Sequence, residues 1–240
     1  MLSRYLPIFI ILSLIAEVLG TVGGFGSSVF FVPVANFFFD FQSVLGITAL
    51  YHLSSNISKI AFFKKGFDKK IVLSLGLPAI LFVSIGAYFS KYLDPKVLTH
   101  ILGYFLIALS LLFLFFKQLK VKSKTKNAII GGSLSGLTAG LLGTGGAIRG
   151  ITLAAFKMDK NKFIATSAVI DLGVDFSRTI IYYFNGYMHK HDLYLIPILI
   201  VVSILGTWMG KKILDTVSQE QFRNFTLLLI LGIGIIILVF

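Results

Sequence analysis

Long apolar stretches, separated by short charged stretches, make up nearly all of this chain of 240 residues. A helix of about 17 to 25 mostly apolar residues is long enough to span the hydrocarbon core of a bilayer. Two apolar segments, Tyr5–Phe39 and Asn127–Phe156, are longer than one span and contain glycine-rich runs. The pattern predicts six further spanning helices, over Val44–Phe63, Ile71–Phe89, Val97–Phe116, Phe163–Phe184, Leu193–Met209 and Phe222–Phe240. We therefore expect an all-α polytopic membrane protein.

The glycine-rich runs Gly20–Ser28 and Gly140–Gly150 begin 120 positions apart. Glycine costs about 1 kcal/mol relative to alanine inside a helix. Non-helical backbone at membrane depth is tolerated only where it is buried in protein or lines a cavity. The runs therefore predict two broken helical hairpins, in which a new helix begins near Ser27 and near Gly146. Close packing of helices against small residues is the alternative explanation.

The two halves of the chain follow one plan, a glycine-broken hairpin followed by three spanning helices. Three further pairs keep the spacing of 120, namely Gly66 with Gly186, Gly86 with Gly206, and Lys91 with Lys211. The prediction is a single membrane domain over residues 1–240, made of one repeat over 1–120 and a second over 121–240. Paired glycine-interrupted segments in duplicated halves point to the substrate site of secondary transporters.

The distribution of basic residues favours inverted repeats. If each broken segment enters and leaves on one side, each half crosses the membrane an odd number of times. That arrangement places 15 basic residues on one face and four on the other, whereas single crossings give 11 and 8. Because cytoplasmic loops carry the excess of Lys and Arg, we expect both termini outside. The predicted cytoplasmic loops are 64–70, 117–126, 157–162 and 211–212.

Composition supports the membrane assignment. Hydrophobic residues make up 56% of the chain and charged residues 13%, against about 25% charged in an ordinary soluble domain. The net charge of +12 lies in short loops between helices, which fits membrane orientation better than nucleic-acid binding. Because there are no cysteines, disulfides and thiolate metal sites are excluded. No cofactor, metal site or catalytic motif is predicted, so we do not expect an enzyme.

Ionisable residues within the predicted membrane segments are candidates for function, because each costs about 2.5 to 3.5 kcal/mol on insertion scales. Two sets recur 119 positions apart with the spacing of one helix face. The first set is His52, Asn56 and Lys59, and the second set is Asp171, Asp175 and Arg178. Glu17 and Arg149 are further candidates within these segments. Glu17, His52, Asp171 and Asp175 are the candidates for carrying a coupling proton.

Structural explanations exist for some of these residues. Asp175 and Arg178 have the spacing of an ion pair within a helix, and His52 and Asn56 suit interhelical hydrogen bonding. Lys59 lies one turn from the basic loop and has the length to reach the lipid interface. Arg149, beside the second glycine run, has no such route to water.

The glycine runs together with the arginines predict an anion site. A helix start presents free N–H groups and the positive end of the helix dipole, and inverted repeats bring two such starts together at the midplane. The predicted substrate-binding residues are Gly24, Gly26, Ser27, Ser28, Thr144, Gly145, Gly146, Arg149 and Arg178.

The run from Gly20 to Pro33, followed by Thr48-Ala49 and by Ile164-Ala-Thr-Ser-Ala168, resembles the motifs of the sulfite exporter TauE/SafE family, also called the TSUP permeases. The resemblance covers the whole chain. Two positions depart from the family pattern: Ser27 stands where glycine is usual, and Leu153 stands where Pro33 would recur.

This resemblance implies transport of sulfite, thiosulfate, sulfoacetate or other sulfonates across the bacterial inner membrane. The residues themselves indicate only a small oxyanion, the lipid bilayer as environment, and alternating access. An anion channel and a membrane-assembly or partner-binding subunit are the alternatives. The identity of the anion, the direction of transport, the coupling ion and the oligomeric state are open at this level.

Overall fold

A computed structural model describes residues 2–24, 26–64, 66–115, 122–214, 216 and 219–239. The described part of the first half forms helices α1 (Leu2–Gly23), α2 (Ser28–Asn36), α3 (Phe41–Phe62), α4 (Lys69–Ile71), a π-helical stretch (Val72–Gly76), α5 (Leu77–Ser90) and α6 (Pro95–Phe115). The second half forms α7 (Thr125–Leu142), α8 (Gly146–Ala154), α9 (Lys160–Phe184), α10 (Leu195–Leu214) and α11 (Gln219–Val239). No strand occurs within these ranges, which confirms the all-α prediction.

Four helices within the described residues are long and apolar enough to cross a membrane, over Tyr5–Gly23, Lys69–Ser90, Pro95–Phe115 and Leu195–Leu214. Helices α3 and α9 are as long, with 22 and 25 residues, but they carry the polar stripes that line the interior. Large apolar side chains such as Leu77, Leu81 and Tyr104 are exposed on the outside of the bundle. An exposed apolar surface of this kind suits contact with lipid.

Capping aspartates set the starts of the two central helices. Asp40 accepts a hydrogen bond from Ser43 N (2.9 Å) at the start of α3, and Asp159 accepts one from Lys162 N (3.0 Å) at the start of α9. Such caps satisfy N–H groups that have no partner within the helix. The two caps are 119 positions apart, the same spacing as the polar stripes.

The predicted end of the span Leu193–Met209 is wrong, because α10 continues to Leu214 and includes the first residues of the segment that the sequence predicts as a loop. The continuation is stabilised by Lys211, which donates to the carbonyl of Phe62 at 2.6 Å, and by Lys212, which lies 3.8 Å from the centre of the Trp208 ring. Lysines in the last turn also interact favourably with the helix dipole. The predictions for Lys65, Phe116, Phe240 and residues 117–121 fall outside the described residues.

The packing of the helices is reciprocal between the two halves. Helices α3 and α9 contact each other, α1 packs against α10, α7 packs against α5, and α6 packs against α11. Glycines permit the closest of these contacts. A Cβ at Gly132, Gly136 or Gly140 of α7 would overlap the backbone carbonyl of Leu75, Ala79 or Val83, respectively.

Helix ends coincide with both glycine runs. Helix α1 ends at Gly23, and the chain passes through Gly24 and Gly26 with φ angles of 69° and 80° before α2 begins. Helix α7 ends before Gly143, which has a φ angle of 74°, and α8 begins at Gly146. These positive φ angles favour glycine. Helices α2 and α8 have nine residues each, so each is only about 13 Å long.

Candidate functional site

A small central cavity lies where α2 and α8 begin, against the facing sides of α3 and α9. Its free volume is about 10 Å³, roughly the room for one water molecule. Neither Ser27 nor Gly145, the residues before the two short helices, caps its helix with a side-chain hydrogen bond. The wall is formed by Gly26, Ser28, His52, Asn56, Lys59, Ala139, Gly143, Gly145, Gly146, Arg149, Asp171, Val174, Asp175 and Arg178.

A second cavity adjoins the first and extends towards the start of α9. Its lining includes Gly20, Thr21 and Gly24 at the end of α1, and Ile164, Ser167 and Ala168 on α9. Four residues line both cavities, namely Gly26, Asn56, Lys59 and Asp171. Asp171 therefore stands at the boundary between the two spaces.

Arg149 on α8 is buried, and its guanidinium is only partly occupied. Its Nη1 is paired with Asp171 Oδ1, and its Nε donates to Ser167 Oγ at 2.9 Å. Within the described residues, Nη2 makes no hydrogen bond and lies beside Gly26 of the cavity wall. Arg149 thus retains donor capacity at the cavity.

Arg178 on α9 is fully engaged with the protein. Its Nε and Nη2 lie 2.8 and 2.7 Å from Asp175 Oδ1. Its Nη1 donates to the carbonyls of Ala139 (3.2 Å) and Gly143 (2.8 Å) at the end of α7, where a positive charge is favoured. Asn56 donates to the other carboxylate oxygen of Asp175 at 2.6 Å. The ion pair within the helix, expected from the sequence spacing, is therefore present and ties α9 to α3 and α7.

Lys59 forms the third buried ion pair. Its Nζ lies 2.8 Å from Glu17 Oε1, and 6% of its side chain is exposed. Glu17 also accepts hydrogen bonds from Ser27 (2.6 Å), Ser55 (2.7 Å) and Thr207 (3.0 Å). The interpretation that Lys59 reaches the lipid interface is wrong, because a carboxylate inside the bundle holds the ammonium there.

The three pairs balance one another in charge. Among the described residues, the cations Lys59, Arg149 and Arg178 face the carboxylates of Glu17, Asp171 and Asp175. Buried charges are tolerated when they are paired in this way. The Arg149–Asp171 pair differs from the other two in that Asp171 has no other side-chain partner among the described residues.

The structure distributes the predicted residues as follows. The central wall includes Gly26, Ser28, Gly145, Gly146, Arg149 and Arg178, together with His52, Asp171 and Asp175; Gly24 lines the second cavity. Three predicted residues line neither cavity, namely Glu17, Ser27 and Thr144. Ser27 donates to Glu17, which lines neither cavity, while its hydroxyl lies 3.4 Å from His52 Nε2. Thr144 donates to Ser28 at 3.2 Å.

Sequence reasoning gave no role to the hydroxyl groups that hold these charges, namely Ser167 beside Arg149 and Ser55 and Thr207 beside Glu17. The only sequence signal among them was the Ala-Thr-Ser motif, which contains Ser167. Single hydroxyl residues in apolar helices are otherwise common and carry little information about the interior.

Apolar spanning helices around a buried charged cavity define the class of the protein, a multi-pass membrane transport protein. The family model for sulfite exporter TauE/SafE matches residues 9–237, and the chain belongs to this family. A relative from Methanocaldococcus jannaschii, named as a probable membrane transporter protein, is 27% identical over 244 residues, which cover 91% of this chain and 90% of the relative. No solved structure matches the chain with significance.

Proposed function

We propose that this protein is a secondary transporter of a small sulfur-containing anion, such as sulfite, thiosulfate, sulfoacetate or another sulfonate, and that the anion binds in the central cavity. The observation that carries the proposal is the buried guanidinium of Arg149, whose Nη2 has no hydrogen bond within the described residues and adjoins two uncapped helix starts. Free N–H groups and a guanidinium are both suited to oxyanion oxygens. The sulfur chemistry rests on the family's description.

The cavity requires a rearrangement before an oxyanion can enter. Its free volume is about 10 Å³, so it holds roughly one water molecule. Asp171 occupies one side of the Arg149 guanidinium and is one of the four residues that line both cavities. We infer that the anion replaces Asp171 on Arg149, and that this exchange joins the two cavities into an access path along the start of α9.

The charge balance supports coupling to a proton. The six paired groups sum to zero, so an added anion leaves an uncompensated negative charge in a medium of low dielectric, which is costly. Protonation of Asp171 removes one negative charge and releases Arg149 at the same time. Of the candidates Glu17, His52, Asp171 and Asp175, we assign the proton to Asp171, because it is the one paired with Arg149 in the described structure. Several other groups hold both Glu17 and Asp175.

Alternating access would follow from inverted repeats. The reciprocal packing of the two halves and the matching caps of α3 and α9 support a twofold relation between the repeats. The imbalance of 15 basic residues against four supports inversion and both termini outside. In this arrangement the broken segments meet at the midplane, and one repeat rocks against the other around the bound anion.

Flux and binding measurements test the proposed function. Purified protein is titrated with sulfite, thiosulfate, sulfoacetate and sulfate while its melting temperature is followed, and uptake of each binding anion is then measured in proteoliposomes. We expect at least one sulfur anion to raise the melting temperature and to be taken up with saturable kinetics. Flux that does not saturate would favour an anion channel, and the absence of both binding and flux would refute transport of these anions.

Replacement of Asp171 by asparagine tests the proton coupling. We expect the wild-type protein to accelerate anion uptake several-fold when the side of the anion is made acidic, because the proton and the anion enter together. Asp171→Asn cannot be protonated, so it should retain anion exchange but lose the response to the pH gradient. Asp68→Asn, a change in a loop carboxylate, is the control. A response of Asp171→Asn equal to that of the wild type would eliminate Asp171 as the proton carrier.

A further inference from the structure

The turn between α9 and α10 carries a cluster of metal-ligating side chains at one end of the bundle, separate from the central cavity. Its sequence is His189-Lys190-His191-Asp192. One ring nitrogen of each histidine and one carboxylate oxygen of Asp192 lie within 4.8 Å of one another. We propose that these three residues bind a divalent transition-metal ion of the zinc type.

Asp192 supplies an independent reason to expect a cation. Its side chain is only 5% exposed, and within the described residues its Oδ2 is buried without a hydrogen-bond partner. Oδ2 lies 3.7 Å from His189 Nδ1, and Oδ1 lies 3.4 Å from His191 Nε2. A buried carboxylate oxygen without a partner is costly. A metal ion between the carboxylate and the imidazoles removes that cost.

The first histidine is already oriented by other residues. His189 Nδ1 lies 2.7 Å from Ser43 Oγ, and this hydroxyl donates to Asp40 Oδ2 at 2.7 Å. Metal-bound histidines commonly use their other ring nitrogen in such a contact, which fixes both the ring and its tautomer. Ser43 and Asp40 thus hold the His189 ring beside Asp192 through Nδ1. The lone pair of Nε2 is left for an ion, and the ring turns towards Asp192 when the ion binds.

The kind of ligand limits the kind of metal. Two imidazoles and one carboxylate suit zinc, nickel or copper, whereas calcium and magnesium prefer sites made only of oxygen. Ligand atoms around one zinc ion lie roughly 3.3 Å apart, so the widest separation in the cluster, 4.8 Å at most, closes by up to about 1.5 Å on binding. His191, with 77% of its side chain exposed, is free to make this movement. The fourth position remains open to water.

The position of the cluster gives the ion a structural consequence. Ser43 and Asp40 lie at the start of α3, and the histidines follow the end of α9, so the site joins the two central helices. Ion binding should therefore raise the melting temperature of the whole protein. The turn lies on the face that the inverted arrangement places outside, but the metal site does not depend on the transport function.

Metal titration of untagged protein tests the site. The protein is purified in detergent without a histidine tag, stripped with a chelator, and titrated with ZnCl₂ by calorimetry. We expect one Zn²⁺ to bind, MgCl₂ to give no signal, and Zn²⁺ to raise the melting temperature. His191→Ala should weaken Zn²⁺ binding at least tenfold, and Asp40→Asn should weaken it by about tenfold or more, as for other outer-shell partners.

His100→Ala is the matched control, because His100 is an exposed histidine on α6, outside the cluster. Titration of the wild type with Co²⁺ adds a test that needs no variant, since visible absorption should show a four-coordinate ion. The absence of Zn²⁺ binding to the wild type would overturn the proposal. Equal losses in His191→Ala and His100→Ala, or undiminished binding in His191→Ala, would also overturn it.

Discussion

At the scale of single residues, the two buried arginines perform different tasks with the same side chain. Arg178 uses all three nitrogens to hold Asp175 and the end of α7. Arg149 keeps one nitrogen without a hydrogen bond among the described residues, next to the cavity. Substitutions at the two positions should therefore affect different measurements.

We expect Arg149→Lys to reduce anion affinity at least tenfold while leaving the melting temperature nearly unchanged. Lysine keeps the charge but lacks the planar fork that fits an oxyanion, and hydrogen bonds to charged groups contribute about 1.5 to 3 kcal/mol. Arg149→Ala should abolish transport. Arg178→Lys, the comparison, should lower the melting temperature instead. Anion titration and thermal unfolding of each variant measure these effects, and a fully active Arg149→Ala protein would remove Arg149 from the site.

The buried pair of Lys59 and Glu17 makes a prediction about stability. Removing one partner of a buried pair leaves an unpaired charge and typically costs 3 to 5 kcal/mol. Lys59→Met should therefore lower the melting temperature strongly, and adding Glu17→Gln should restore much of the loss.

The exposed pair of Lys162 and Asp68 is the control for that cycle, with 38% and 28% of the side chains exposed and a separation of 3.2 Å. The hydrogen bond from Ile71 N–H holds the pKa of Asp68 below its ordinary value, so this carboxylate is ionised at neutral pH. Lys162→Met should change stability by no more than about 1 kcal/mol. If Lys59→Met and Lys162→Met lowered the melting temperature equally, the pair of Lys59 and Glu17 would be no more shielded from water than the exposed pair.

At the scale of elements, the glycines of the second half have two separate uses. Gly132 and Gly136 lie against the backbone of the π-helical stretch and of α5, whereas Gly143 adopts a positive φ angle at the end of α7. The sequence could not separate these uses, because close packing and helix termination both select the same residue. It did locate the helix ends, because the chain has runs of glycine there.

Packing between α5 and α7 should be sensitive to a single methyl group. A Cβ at Gly136 would overlap the carbonyl of Ala79, a backbone atom that cannot rotate away. Gly136→Ala should therefore cost about 1 to 3 kcal/mol, as overpacked cores do. Gly232→Ala on α11 is the control, because no described residue outside its own helical turn comes within 4 Å of the added methyl group. Thermal unfolding in detergent compares the two, and equal melting temperatures would contradict the described contact.

At the scale of the whole molecule, the sequence located the charged residues and the ion pair within one helix, Asp175 with Arg178, but not the partners on different helices. The spacing of 119 placed Asn56 and Asp175 at equivalent positions, and the structure joins them by a hydrogen bond of 2.6 Å. Contact between equivalent residues requires that α3 and α9 face each other, which a linear pattern does not specify. The sequence left the place of Lys59 open for the same reason, since its partner Glu17 lies on a different helix.

Cysteine labelling reports the membrane topology of the whole chain. Because the chain has no cysteine, a single cysteine at Lys160 or at Lys91 can be labelled without background. With inverted repeats, an impermeant reagent added to intact cells should label the cysteine at Lys91 and not the one at Lys160. Labelling after the membrane is permeabilised is the control for reactivity. Labelling of the Lys160 cysteine in intact cells would contradict the inverted arrangement.

The balance of three cations and three carboxylates inside the bundle also determines which steps of transport respond to the membrane voltage. Moving one elementary charge across 100 mV changes the free energy by about 2.3 kcal/mol. A carrier whose interior charges cancel undergoes its empty return step without electrical work. A singly charged anion accompanied by one proton keeps the loaded step electroneutral as well, whereas a doubly charged anion with the same proton generates a current. The valence of the substrate, rather than the protein, then decides whether transport responds to the membrane potential.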